Sequence, residues 1–506
     1  MIINTHPCQT VVDRTHEPLG PGWLRRAPTL AEQREQVSSH VWRTGANLQF
    51  RDTLVQAIDE ASEHVLLCSF LLADTPLADA LIRASERGVR VYIITASEQR
   101  LDSLIHDQDD FGKRMVEQHK ALLARLAGKV RLRSAEHVHA KFLVIDALAH
   151  KTPRAWLSTA NLNKALQESI ELGVQLEESN ARALAECFNW AFWCEARREL
   201  HGANRLVEIK GPPVAPRRPG HDQVLATLQG SYDLRDAVIA MIRSAHYEIL
   251  ASSYGLDADH AVINELILAA KRGVRVCLLT RPRPAVANAV AKLAAAGIQV
   301  LAHDKLHAKA LVADGEALVM TANFDAFGLD EGFEVGIKLA PEPAAAVEQS
   351  LREWMDCFPW MYRANATRGE HLGDFCPADK GLRDGVVRVV QYCEQKLADV
   401  EAHDALSLES TPGPQVQPVD APGELAQKVA QLWSITAPRL PQGATEIKLP
   451  QHKGESKPLD LTTQPVAVPV YQFKGTKYIV VDPTQEQEQV RDLAQKLGAR
   501  LVLERA

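Results

Sequence analysis

An internal repeat constrains this 506-residue chain more than any other feature of its sequence. The first copy runs from Leu48 to Leu200 and the second from Tyr232 to Arg363. Each opens with a helix-period segment, DTLVQAIDEA from Asp52 and DLRDAVIAMIRSA from Asp233. An apolar strand pattern follows in each, HVLLCSF from His64 and YEILASSY from Tyr247. A second helix then leads into nearly identical turn-and-strand segments, RGVRVYIIT from Arg87 and RGVRVCLLT from Arg272. Gly88 and Gly273 stand where a left-handed helix cap belongs, and a β-branched run begins directly after each. Strands alternating with helices predict an α/β fold of two pseudo-symmetric halves, each a mixed, largely parallel sheet with helices on both faces.

The remaining chain is read around this repeat. Residues 1–47 form an N-terminal extension without a clear pattern, and 48–210 the first half. Residues 211–231, containing the Pro- and Gly-rich GPPVAPRRPGH, read as a linker, and 232–369 as the second half. Residues 370–423 read as a helical segment ending in a second linker, and 424–506 as a small C-terminal α/β domain. Within that domain VYQFKGTKYIVVD is a hairpin candidate and PTQEQEQVRDLAQKLG a helix candidate. The first copy carries a charged helical insertion between Ser97 and Gly128 that suits a lid or specificity element.

Each copy holds the same polar pattern on and after an apolar strand. HAKFLVID places His139, Lys141 and Asp146, followed by STAN (Ser158–Asn161) and Glu171. HAKALVAD places His307, Lys309 and Asp314, followed by MTAN (Met320–Asn323) and Glu334. Histidine and lysine two apart on a strand project from one face, so an imidazole and an ammonium can meet one phosphate. A single copy is a weak signal; two copies inside one repeat, with the same downstream residues, are a strong one.

This double HxK(x4)D signature resembles the phospholipase D superfamily over both halves, Leu48 to Arg363. The resemblance implies that the two halves pack so that the motifs form one active site, needing no metal or cofactor. It makes His139 and His307 the catalytic pair and sets Lys141, Lys309, Asn161 and Asn323 on the phosphate. Glu171 and Glu334 become the carboxylates that orient the histidines, while Asp146 and Asp314 support the motif. Thr159 and Thr321 replace the usual serine, and Ser158 and Met320 stand where the family usually has glycine. We take the two threonines, with Ser69 and Ser253 at the ends of the early strands, as substrate-binding candidates. Around them, Phe70 and Tyr254 are open to pocket lining or ordinary packing, and His137 and His303 read as rim residues. Trp190, Trp193, Trp354 and Trp360 read as core. Arg217, Arg218, Arg281 and Arg283 read as solvated loop charge, with contact to a polyanion as the sharper alternative.

The chemistry is phosphodiester cleavage or transfer. Two ammonium groups and two amides neutralise the phosphate oxygens, one neutral imidazole attacks phosphorus, and the other protonates the leaving oxygen. We assign His139 as nucleophile, with the reverse left open by the symmetry. No stretch approaches the roughly 20 apolar residues of a membrane span, and the amino terminus lacks a secretory pattern. Eight cysteines without CxxC pairs point to neither a disulfide scaffold nor a zinc ribbon. A net charge of −7 excludes nucleic-acid binding by bulk charge alone but leaves room for a local basic groove. These features favour a cytoplasmic, metal-independent nuclease acting on DNA or RNA in repair, restriction or phage defence. It would act as a monomer, without a membrane, with protein partners possible through its terminal regions. The alternatives are a soluble phospholipase D or transphosphatidylase, and a catalytically silent nucleic-acid-binding scaffold.

Overall fold

The structure is a computed structural model. It describes residues 9–10, 18–26, 34–101, 110–147, 152–203, 205–211, 224–228, 230–367, 373–381, 387–389, 415–416, 445–446, 470–473, 476–481 and 499–503. Residues 21–364 with 376–385 form one compact unit, and residues 1–20, 365–375 and 386–506 a second. The repeat lies in the first unit.

In the first half, the strands β1 (Val41–Arg43), β2 (His64–Cys68), β3 (Arg90–Ala96), β4 (Arg131–Ala135), β5 (Phe142–Ile145), β6 (Arg154–Ser158) and β7 (Leu172–Leu176) are interleaved with helices. Their order across the sheet is β4-β3-β2-β5-β6-β7-β1. The second half supplies β8 (Val224–Leu228), β9 (Glu248–Ser252), β10 (Arg275–Thr280), β11 (Gln299–Ala302), β12 (Ala310–Ala313), β13 (Glu316–Met320) and β14 (Glu334–Lys338). Its order, β11-β10-β9-β12-β13-β14-β8, is the same topology. Both sheets are mixed. The parallel part is β2-β3-β4 in one half and β9-β10-β11 in the other. The motif strands β5 and β12 run antiparallel to both neighbours. Two elements differ from the sequence reading: β1 falls in the expected N-terminal extension and β8 in the expected linker. Three to five residues show no resolvable periodicity until a partner strand, β7 or β14, gives them one.

Local chemistry places the ends of these elements. The helix Thr75–Glu86 starts at Asp74, whose carboxylate accepts from Leu77 N at 3.0 Å, and both Gly88 and Gly273 take positive φ just before β3 and β10. One apolar cluster runs through both halves. It includes Phe142, Leu157 and Val174 from the first, and Val312, Phe333, Val347 and Trp354 from the second. Phe142 and Phe333 meet edge-on at 6.5 Å across the join. The two halves therefore share one core, and the ends of β5 and β12 face each other over it. Of the four tryptophans read as core, Trp354 and Trp360 are buried and Trp190 is partly buried, while Trp193 is 39% exposed under the Arg133 guanidinium.

In the second unit, Val470–Phe473 and Thr476–Val481 form the expected hairpin, and Ala499–Leu503 adds parallel to it. The expected helix after the hairpin, most of residues 370–423, and Arg217 and Arg218 lie outside the described residues.

Candidate active site

The main chain joins the two motifs before any side chain is considered. His139 N and Ala140 N both donate to Phe333 O, at 3.1 and 2.9 Å. His307 N and Ala308 N both donate to Ile170 O, at 3.0 and 2.9 Å. Phe333 and Ile170 each precede the glutamate of the opposite half, so these bonds carry Glu334 to His139 and Glu171 to His307. His139 Nδ1 donates to Glu334 Oε1 at 2.5 Å, and His307 Nδ1 donates to Glu171 Oε1 at 2.6 Å. Each of the two motif histidines is thus oriented by the other half's carboxylate. With Nδ1 protonated and engaged, Nε2 is left with its lone pair, and 16% and 18% of the two side chains remain open to solvent.

The rest of each half-site is buried. Lys141 and Lys309 are 0% exposed and donate to the main-chain oxygens of His139 and His307. Thr159 donates to Glu171 Oε2 at 2.6 Å, and Thr321 to Glu334 Oε2. Two ammonium groups and two carboxylates cancel in charge, which makes their common burial tolerable. Burial is the largest influence on both histidines and pushes each down to about 4; the lysines add to this and the glutamates oppose it. Both imidazoles are therefore neutral near pH 7. Lys309 is lowered to about 7, first by burial and then by Lys141 against the pull of Glu171, and Lys141 is lowered by burial too. Burial raises the glutamates, but the neighbouring histidines and lysines prevail and hold both ionised. Asn161 Oδ1 and Asn323 Oδ1 are buried without a hydrogen-bond partner, and any donation to a phosphate oxygen falls to the amide nitrogens.

A family profile described as "Cardiolipin synthase, PLD-like domain" matches residues 54–192 and 238–356, together just over half of the chain. The chain belongs to the phospholipase D superfamily. It is a phosphodiester-acting enzyme of that superfamily, with both halves of the site on one polypeptide. It is 24% identical to cardiolipin synthase B of Escherichia coli K12 over 334 residues, covering 58% of this chain and 77% of that protein. Phosphatidylserine synthase from Haemophilus influenzae Rd KW20 aligns over 77% of this chain and 96% of its own, at 12% identity and TM-score 0.49. Polyphosphate kinase from Porphyromonas gingivalis aligns over 62% of this chain at 17% identity and TM-score 0.42, so the chain spans 49% of that protein.

Within this phospholipase D site, some residues expected from the sequence take other work. Thr159 and Thr321 are fully buried and hold the glutamates instead of substrate. Ser69 and Ser253 are also 0% exposed. Their hydroxyls donate to Leu71 O and Gly255 O and accept from Leu162 N and Phe324 N, which ties the early strands to the loops after each TAN. Asp146 and Asp314 sit at the far ends of the motif strands with φ of 55° and 48°. Asp146 accepts from the amides of Ser62, Glu63 and His64, and Asp314 from those of His246, Tyr247 and Glu248. Aspartate tolerates this left-handed conformation and supplies the acceptor, so the motif's acid is a turn anchor. Ser158 and Met320 are buried, 3% and 0% exposed, and leave the phosphate side to other groups. His137 is exposed beside the site, and His303 lies against Phe358 with Asp304 at 2.8 Å.

The sequence reading missed Phe327 and Arg100. Phe327 stands 6.0 Å from His139 on a π-type turn, Phe327–Glu331, and Arg100 covers its ring at 3.9 Å. No spacing signals either, because Phe327 belongs to the second half and serves the first half's histidine. Phe70 and Tyr254 do line the site, at 5.2 Å from His139 and 4.6 Å from His307. Among the described residues, no group of three His, Cys, Asp or Glu is placed to hold a metal ion.

Proposed function

We propose that this protein is a phosphatidyl-transferring enzyme that acts on glycerophospholipids through a phosphohistidine. The observation that carries the reading is the match of both halves to a profile described as cardiolipin synthase. It is supported by the likeness to cardiolipin synthase B over 334 residues. The nucleic-acid substrate expected from the sequence rested on the lack of membrane anchors; among the described residues, no helix is long and apolar enough to cross a membrane. A surface enzyme needs no span, and the matching profile and the curated relative are both described as cardiolipin synthase, so we replace the nucleic acid with a lipid and the membrane-free setting with a lipid surface. The silent-scaffold reading is disfavoured by a complete set of His, Lys, Asn and Glu in both halves.

The chemistry follows from the two Nε2 atoms, of which that of His307 has Lys309 Nζ at 3.4 Å. A phosphodiester binds with its anionic oxygens toward Lys141, Lys309, Asn161 and Asn323, and its charge raises the affinity of the nearby imidazoles for protons. His139 Nε2 attacks phosphorus, a P–N bond forms, and the bond to the headgroup oxygen breaks as His307 Nε2 supplies that oxygen's proton. An acceptor alcohol or water then gives its proton to His307 while its oxygen attacks phosphorus and the P–N bond breaks. Phe70 and Phe327 beside His139 shield the adduct from stray water.

The test uses purified protein in EDTA with phosphatidylglycerol vesicles, phosphatidylcholine vesicles, single- and double-stranded DNA, and RNA. Lipid turnover with intact nucleic acids is the expected result. Nucleic-acid cleavage with untouched lipid overturns the reading, and lipid turnover that stops in EDTA and returns with magnesium overturns the phosphohistidine chemistry.

A further inference from the structure

The two half-sites match in their histidines, lysines and glutamates but differ in what surrounds them. Phe70 and Tyr254 hold equivalent places, each directly after the serine that follows β2 or β9. On the His139 side the walls are hydrocarbon. Phe70 and Phe327 meet the imidazole edge-on, and Arg100 lies on Phe327 with a further interaction of its own. On the His307 side, Tyr254 carries the Arg283 guanidinium 4.1 Å from its ring centre and that of Arg281 at 5.6 Å. The loops behind these residues align as ASE after RGVRVYIIT and RPR after RGVRVCLLT, so Arg281 and Arg283 take the places of Ala96 and Glu98. Glu98 is bound to Arg198 at 2.9 Å. Arg281 has Asp304 near it, whereas among the described residues no carboxylate lies within ion-pair distance of Arg283. A guanidinium over the face of an aromatic ring can still turn N–H donors to an oxyanion, and the half-burial of Arg283 strengthens such a bond.

We propose that Arg283, held on Tyr254 beside His307, is a specificity-determining residue that selects headgroups and acceptor alcohols carrying a negative charge over neutral or cationic ones. The inference rests on the lipid reading and on His307 as the acid. The leaving oxygen departs next to His307, and the acceptor must enter from that side, because its proton goes to His307 as its oxygen bonds phosphorus and the bond to His139 breaks. Whatever flanks His307 therefore judges both. The chemistry recognised is a phosphate or other oxyanion one alcohol away from the reacting phosphorus.

The test is an acceptor competition. Phosphatidyl-p-nitrophenol in detergent micelles serves as donor, with equimolar glycerol, glycerol 3-phosphate and choline as acceptors. Release of p-nitrophenol reports donor use whatever the acceptor, and mass spectrometry of the lipid products gives the acceptor ratio. Because the ratio is read only from active molecules, partial misfolding of a variant does not alter it. The wild type should favour glycerol 3-phosphate over glycerol by on the order of tenfold, the size of one hydrogen bond to a charged group. Arg283→Gln should bring the ratio near one, and Arg283→Glu should turn the preference toward choline. An even ratio in the wild type, or a preference that survives both substitutions, overturns the inference while p-nitrophenol release keeps the lipid reading. No release from the lipid, with cleavage of thymidine 5′-p-nitrophenyl phosphate, overturns both.

Discussion

Glu334 lies 195 residues from His139 in the chain, yet its carboxylate accepts the imidazole's Nδ1 proton at 2.5 Å. Glu171 does the same for His307 across 136 residues, so each half completes the other. The crossing has a main-chain cause: Phe333 O and Ile170 O each accept two amides from the opposite motif, placing the next residue's side chain on the foreign histidine. Neither half can form a working histidine alone, and a single chain forms both.

The crossed pairing sets which glutamate should mimic which histidine. On a p-nitrophenyl phosphodiester, whose leaving group needs no acid, Glu334→Gln should lose the tautomer of His139 and prevent adduct formation, while Glu171→Gln should spare the adduct and block its breakdown. Losses of roughly 10²–10⁴-fold in turnover are expected from misdirecting an acid–base histidine. Both substitutions also leave a buried ammonium less compensated, so unfolding midpoints should be measured beside rapid-quench trapping of the phosphoenzyme. Adduct loss in Glu171→Gln alone would mean that the pairing does not act as drawn.

A leaving group that departs without help separates the two histidines. On a p-nitrophenyl phosphodiester, His307→Ala should retain measurable first-step activity and accumulate a covalent phosphoenzyme, since the general base for its breakdown is gone. His139→Ala should form no adduct. Peptide mapping of the phosphate to His307 would exchange the two roles.

On a p-nitrophenyl phosphodiester, whose leaving group needs no proton from His307, the pH dependence of kcat/KM follows from the rest of the buried cluster. His139 attacks only when neutral, and burial holds it near 4, so the acid limb should lie near 4 and not at the 6.5 of a free imidazole. Lys309 binds phosphate only when charged; it loses its proton as pH rises through about 7, so kcat/KM should fall above that. Lys309→Arg, whose guanidinium stays charged, should extend the alkaline limb upward even where its maximum rate is lower. Initial rates from pH 3.5 to 10 check this, and an unmoved alkaline limb in that variant assigns it to another group.

Asp146 should matter to stability and not to chemistry. Asp146→Ala removes the acceptor for three amides and leaves an alanine at φ 55°, which should cost roughly 2–3 kcal/mol in urea unfolding. Asp146→Asn keeps an acceptor and tolerates that conformation, so it should lose less. The kcat/KM of the folded fraction should stay at the wild-type value in both; a fall that tracks catalysis instead would return Asp146 to the active site.

The chain's linear pattern was enough for the duplication and the α/β class, and it singled out His139, Lys141, His307, Lys309, Glu171 and Glu334, which the fold brings together. Those signals are local: a strand's period of two puts His and Lys on one face, and a repeat shows that a polar pattern is not accidental. Function within the motif was less legible. Thr159 and Thr321 look like phosphate ligands in sequence, and only their burial against the glutamates shows them as anchors. Asp146 and Asp314 read from sequence only as supporting the motif, and positive φ at the strand's far end shows that the support is a turn. Phe327, Arg100, the pairing of each glutamate with the other half's histidine, and the basic flank of His307 were decided by the tertiary structure alone. They depend on packing two pseudo-symmetric sheets against each other, and sequence periodicity describes which face of an element is buried but not which distant element covers it.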